Sequence, residues 1–235
     1  MERDDVHAVF FDAGYTLLCM DPPQEILFLQ VCSDLGIAID DARLQNAVRD
    51  ANVMLAPRTP ASIRRPYSIG RVDTFWIEYH RIVLKGCAVD AAAVDRAEPV
   101  YRTFSKRLGW RVYDDVRPTL AGLRARGIRL GIISNWTGDL EDVLKRIDLH
   151  SSFDVILDSA RLGHEKPHPE IFAEALRRAG VQPRAALHVG DSIQHDVEGA
   201  LGSGLRPVLL DRTGRHAAFD RAPRVHDLSE LAGLL

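Results

Sequence analysis

From about residue 114 the chain alternates short apolar runs, too brief for helices, with amphipathic stretches of helical length. Residues 128–133, 153–157, 185–189 and 206–210 read as strands, and residues 120–125, 138–147, 169–179 and about 196–201 as helices. Repeated strand–helix–strand order is satisfied by a parallel sheet whose crossover helices cover both faces. The punctuation agrees: Gly127 closes the first of these helices, and Pro169 and Gly180 bracket the longest. Thr137 is placed to cap the helix that follows it, and a last short helix is expected over 228–235. Near the N-terminus, Val9-Phe10-Phe11 supplies one more buried strand. The strands end on polar residues, namely Asp12, Ser134-Asn135, Asp158 and Asp191. In open parallel sheets ligands bind beyond the carboxyl ends of the strands, so these positions define the candidate site. The fold class expected is α/β, a Rossmann-like doubly wound parallel sheet.

Residues 19–113 break this pattern. Their apolar residues recur at helical spacing, as in Val72, Phe75, Trp76, Tyr79, Ile82 and Val83, with Gly36 and Gly86 ending helices. The reading is an all-helical insertion, leaving 1–18 and 114–235 as the α/β core. Between its helices Arg58, Arg64, Arg65, Tyr67 and Arg71 lie among Pro, Ser and Gly, a cationic loop suited to an anionic substrate.

Bulk properties narrow the function. A hydrophobic content of 46% with 27% charged residues fits a packed globular chain, and a net charge of −3 gives no general attraction to nucleic acid or anionic membrane. Cys19, Cys32 and Cys87 are odd in number and form no C-x-x-C pair, as expected of a reducing cytoplasm. The acidic start, Glu2 to Asp5, is unlike a secretory signal, and no apolar run is long enough to span a bilayer.

Four stretches carry the candidate chemistry: Phe10-Phe11-Asp12-Ala13-Gly14-Tyr15-Thr16-Leu17; Gly131-Ile132-Ile133-Ser134-Asn135; Lys166-Pro167-His168-Pro169-Glu170-Ile171-Phe172; and Gly190-Asp191-Ser192-Ile193-Gln194-His195-Asp196-Val197-Glu198-Gly199-Ala200. Their order and spacing resemble the haloacid dehalogenase superfamily of hydrolases over essentially the whole chain. The helical insertion is similar to the C1-type cap of subfamily I, and Asp-Ala-x-x-Thr-Leu at the first motif is similar to the REG-2-like proteins.

The resemblance implies a Mg²⁺-dependent hydrolase, a phosphatase acting on a small phosphorylated metabolite. Asp12 would be the nucleophile that forms an aspartyl-phosphate. Mg²⁺ would be held by Asp12, the Gly14 carbonyl and Asp191, with Asp196 a direct or water-mediated partner. Ser134 and the amides near Asn135 would hold the phosphoryl oxygens, and Lys166 would neutralise developing charge. Arg64 and Arg65 would contact substrate. A monomer or homodimer is expected, with no nucleic-acid or membrane partner.

The chain departs from the family pattern at Gly14, where phosphatases of this superfamily carry a second Asp that protonates the leaving group. Tyr15 also stands where Gly is usual. Two alternatives follow: a catalytically weak protein of the same fold that binds a ligand or a protein, or a phosphonatase- or dehalogenase-type hydrolase. Retained Asp191 and Asp196 oppose dehalogenase chemistry. His164 and His168 fall in a loop and make no zinc site, whereas His195 adjoins the expected metal site.

Overall fold

The computed structural model describes residues 5–55 and 69–235. The chain divides into two compact units, residues 1–19 with 111–235, and residues 20–110. Arg58, Arg64, Arg65 and Tyr67 of the expected cationic loop lie outside the described residues.

The first unit is built on β1 (Ala8–Phe11), β4 (Arg129–Ser134), β5 (Val155–Asp158), β6 (Ala186–Gly190), β7 (Arg206–Leu210) and β8 (Arg224–Val225), in the order β5-β4-β1-β6-β7-β8. Every pairing is parallel. The chain departs from β1 to one side and later returns to the other, so the order reverses at the central strand. Its helices are α6 (Val116–Ala125), α7 (Leu140–Arg146), α8 (Ser159–Leu162), α9 (Pro169–Ala179) and α10 (Gly199–Gly202). α9 buries Ile171, Phe172, Ala175 and Leu176 in a core with Phe10, Ile133 and Leu157 from the sheet. Gly131 permits this packing, because a methyl there would lie 2.5 Å from the Phe10 ring.

Three local expectations change. The α7 amides are not capped by Thr137, whose hydroxyl donates to Asp139. The Asp158 carboxylate serves instead, accepting from Gly138 N at 2.9 Å, Leu140 N at 3.3 Å and Ala160 N at 2.9 Å. Asp158 is thereby committed to two helix starts and withdrawn from the polar strand ends. The helix expected over 196–201 opens as a wide π-type turn, Ile193–Glu198, before α10. The C-terminal helix is a 3-10 segment, Leu228–Gly233, closed by a reciprocal cap between Asp227 and Glu230.

The second unit contains α1 (Gln24–Asp34), α2 (Asp41–Leu55), α3 (Ile69–Gly86), α4 (Ala91–Val94) and α5 (Ala97–Arg107). The short strands β2 (Leu18–Met20) and β3 (Trp110–Val112) pair where the chain passes from one unit to the other. At three residues each they are too short to show an alternation in the sequence. Gly86 has a second use besides helix ending, since a methyl there would approach the Ala47 side chain to 2.6 Å. Leu27, Phe28, Val31, Leu44, Val83 and Phe104 form the core of this unit.

His80 lies in that core at 3% exposure, its ring stacked on Phe28 and its Nδ1 donating to the Trp76 carbonyl at 2.7 Å. Burial pushes its pKa down to about 4, so the folded state binds the proton less well than the unfolded chain, whose imidazole titrates near 6.5. Stability from the neutral ring is therefore complete above the unfolded value and is lost as pH falls from there towards about 4. At pH 5 the loss is about 2 kcal/mol. Urea denaturation at pH 7.5 and pH 5 measures it: the difference should shrink in His80→Gln, and an unchanged difference would assign the acid sensitivity elsewhere.

Candidate active site

Register brings the site together. Phe11 lies level with Ile132 of β4 and Val189 of β6. Asp12, Ser134 and Asp191, one or two residues further along the three strands, therefore emerge at the same end of the sheet. This is the point at which the strand order reverses, where open α/β sheets place their ligands.

The centre is a buried ion cluster. Lys166 Nζ donates to Asp12 Oδ1 at 2.7 Å and to Asp196 Oδ1 at 2.6 Å, and the lysine is 1% exposed. The Ser134 hydroxyl donates to Asp12 Oδ1 at 3.0 Å. A buried ammonium ordinarily loses affinity for its proton, but two carboxylates outweigh burial here and raise the Lys166 pKa. Asp196 is held well below the usual carboxylate range: burial opposes this, and Lys166 with the His188 hydrogen bond overcomes it. Asp12 is pushed up by burial, with Lys166 working against the rise.

Each member is fixed from outside. Asp196 Oδ2 accepts the Ser192 amide at 3.0 Å, while His188 Nε2 donates to Oδ1 at 2.9 Å. Gly190 makes room for this carboxylate, since a methyl there would lie 2.1 Å from Asp196 Cγ. Lys166 is placed by Asn135, whose carboxamide accepts from Lys166 N at 2.8 Å and donates to Lys166 O at 2.9 Å. The Asn135 side chain is thus engaged in holding the lysine, which leaves the backbone amides near it as the groups expected to meet substrate. His188 and the Asn135 clamp carry roles that sequence reasoning missed. The available signal was a lone histidine within the otherwise apolar Ala186–Gly190 strand.

Carboxylate oxygens of Asp12, Asp191 and Asp196 lie within 4.8 Å of one another. Burial, then the charges of Asp12 and Asp196, push Asp191 up to about 8. Such crowding of hard oxygen donors around one lysine fits a divalent cation, which would relieve the repulsion that raises Asp191. The expected metal positions Asp12, Asp191 and Asp196 are brought together here, with Gly14 two residues beyond Asp12 in the following turn. Both Asp196 oxygens already accept protein donors, so Asp12 and Asp191 are the freer ligands. His195 stays beside the cluster, paired through Nδ1 with the Ser192 hydroxyl at 3.2 Å.

A family model for haloacid dehalogenase-like hydrolases matches residues 6–204. The chain is 40% identical to haloacid dehalogenase-like hydrolase domain-containing protein 3 of Homo sapiens over 242 residues, covering 99% of this chain and 94% of that protein. A glyceraldehyde 3-phosphate phosphatase from Methanopyrus kandleri is 39% identical over 116 residues, 49% of this chain and 48% of its own length. Among solved structures, the putative HAD-hydrolase YfnB from Bacillus subtilis, bound to magnesium, superposes with a TM-score of 0.78 at 20% identity, covering 98% of this chain and 99% of that one. No helix among the described residues is long and apolar enough to cross a membrane.

Proposed function

This chain belongs to the haloacid dehalogenase-like hydrolases, and on that premise we propose that it is a Mg²⁺-dependent phosphatase acting on a small phosphorylated molecule through Asp12. The observation that carries the reading is the division of the Asp12 carboxylate. Oδ1 takes both the Ser134 hydroxyl and the Lys166 ammonium, whereas Oδ2 takes no hydrogen bond among the described residues. One oxygen is held and the other is left to attack.

In this mechanism Asp12 Oδ2 forms a bond to phosphorus as the ester P–O bond breaks, giving an aspartyl-phosphate and the leaving group as its alkoxide or phenoxide, which takes its proton from solvent. Water then attacks the phosphorus, releasing phosphate and restoring the Asp12 carboxylate. Ser134 and Lys166, already within reach of Asp12, turn their donors to the phosphoryl oxygens where charge accumulates. Asp196 keeps Lys166 protonated, and His188 with Ser192 N keeps Asp196 in place. Asp12 and Asp191, with Asp196 behind them, would hold magnesium, which would supply the charge neutralisation that lets a phosphate dianion approach a carboxylate. Gly14 has no side chain to protonate the leaving group, so the preferred substrates are those whose leaving group departs as a stable anion, aryl and acyl phosphates above alkyl esters. The phosphatase named among the relatives agrees with the reaction class.

The test is hydrolysis of phenyl and propyl phosphate with and without Mg²⁺, by the native protein and by Asp12→Asn. Metal-dependent turnover of the phenyl ester, weak on the propyl ester and lost in Asp12→Asn, is expected. Turnover of neither ester, with Mg²⁺ shown to bind, would favour a ligand-binding protein of this fold.

A further inference from the structure

Beside Asp191, within the first unit, a pocket is lined by Tyr15, Tyr113, Arg212, Arg215 and His216. Its wall is rigidly built. Asp211 follows β7, and its buried carboxylate accepts from Arg215 N and His216 N at 2.9 Å each and from Arg224 Nη1 at 3.1 Å. That one carboxylate folds residues 211–216 into a closed turn and sets where residues 215 and 216 stand. Arg212 is committed elsewhere: it chelates Asp115 at 2.9 and 3.0 Å, donates to the Thr16 carbonyl at 2.9 Å and lies 3.9 Å over the Tyr113 ring, with only its Nε unpartnered among the described residues. Its charge is spent on Asp115, and its plane with Tyr113 serves as a wall.

Arg215 differs. Its exposed guanidinium takes no ion pair or hydrogen bond among the described residues, whereas the other charges lining the pocket are placed: Arg212 on Asp115, Asp211 on Arg224, and Asp191 in the acidic cluster. Tyr15, which lines the same pocket, holds a left-handed backbone at φ 58°, a conformation rare for a bulky residue, and remains 43% exposed. Residues kept in such conformations cluster at ligand sites, where surrounding structure sustains the strain. Here the Tyr15 amide donates to Leu18 O at 2.6 Å.

We propose that this pocket is the leaving-group subsite, and that it selects phosphomonoesters whose leaving group carries a carboxylate. This rests on the hydrolase reading only for the placement of the phosphoryl group at Asp12. The phosphoryl group has its own partners in Ser134 and Lys166, and Asp191 lines this pocket as well as the acidic cluster around Asp12. Arg215 binds the carboxylate through its planar fork, the geometry a carboxylate matches with two parallel hydrogen bonds. His216 supplies a further polar contact, and the Tyr15 and Tyr113 rings flank the carbon skeleton.

The test compares 4-carboxyphenyl phosphate with 4-carbamoylphenyl phosphate, which have nearly the same shape and differ by one charge. Two quantities are read in the presence of Mg²⁺. One is the kcat/KM ratio of the pair; the other is the ratio of their dissociation constants on Asp12→Asn protein, which retains the ligand. Both should favour the carboxylate by about ten-fold. Combining either background with Arg215→Ala should bring the preference close to one, and Arg215→Lys should keep part of it. No preference to begin with, or one that survives Arg215→Ala, overturns the proposal. Loss of the binding preference in Arg215→Ala without turnover of either ester in any protein would uphold the subsite and refute the hydrolase reading.

Discussion

Lys166→Met is expected to lower kcat/KM on phenyl phosphate by at least about 10²–10³-fold and to destabilise the first unit by about 3–5 kcal/mol. The activity loss follows from removing the one buried ammonium that faces the Asp12 carboxylate. The stability loss follows from what remains. Asp12 and Asp196 are both buried, and the lysine is their shared counter-charge at 2.7 and 2.6 Å. Burial already pushes Asp12 up from its ordinary value of 3.8 against the pull of Lys166, so removing the lysine pushes it further. An acid whose folded pKa is raised costs stability above that pKa, and the cost disappears as pH falls towards the unfolded value. The gap between native protein and Lys166→Met should therefore be wider at pH 8 than at pH 5. Urea denaturation at the two pH values reads this directly, and a gap that did not narrow would mean that Asp12 does not carry the stranded charge. Lys166→Arg is no rescue: at 1% exposure the site has no room for a larger planar head.

The parts of this molecule that could be read from the chain are those in which burial imposes a period. Strands enclosed on both faces must be apolar throughout, and that made β1, β4, β6 and β7 legible, together with the polar residues that end them. Asp12, Ser134, Lys166, Asp191 and Asp196 stood out by motif spacing; parallel register gathers Asp12, Ser134 and Asp191 at one end of the sheet, and the Lys166 ammonium ties Asp196 to Asp12. What resisted reading depends on partners distant in sequence. Asp158 looked like another strand-end acid, yet the amides it serves at Gly138 and Leu140 come from the previous crossover. Asn135 stood beside the amides expected to meet substrate, and nothing local showed that its carboxamide would close on the Lys166 backbone 31 residues further on. His188 could pass for an accident in an apolar strand, and only the return of the chain after Gly190 brings Asp196 against it. The pocket wall at Arg215 was equally hidden, because the turn that builds it is held by Asp211 rather than by any repeated pattern.

Gly14→Asp is expected to raise kcat/KM on propyl phosphate by about 10²–10⁴-fold while changing phenyl phosphate far less. The backbone permits it. Gly14 is not among the glycines in the left-handed region, and a methyl at its Cα would sit 3.6 Å from Trp136 Cζ3, an ordinary contact. A carboxyl added there joins a crowded acidic neighbourhood, where burial and neighbouring charge already push Asp191 up to about 8. The same influences favour the protonated form of a new acid, the form able to donate to a departing alkoxide. A phenoxide leaves without that help, so the alkyl-to-aryl ratio isolates the proton transfer from binding and from attack by Asp12. Gly14→Asn separates chemistry from filling space: it presents a side chain of the same size that cannot act as the acid and should leave the ratio where the native protein sets it. A native ratio already near one would instead show that another group protonates the leaving group, and Tyr15, adjoining Gly14 and lining the pocket beside Asp191, is the residue whose replacement by Phe would then be measured.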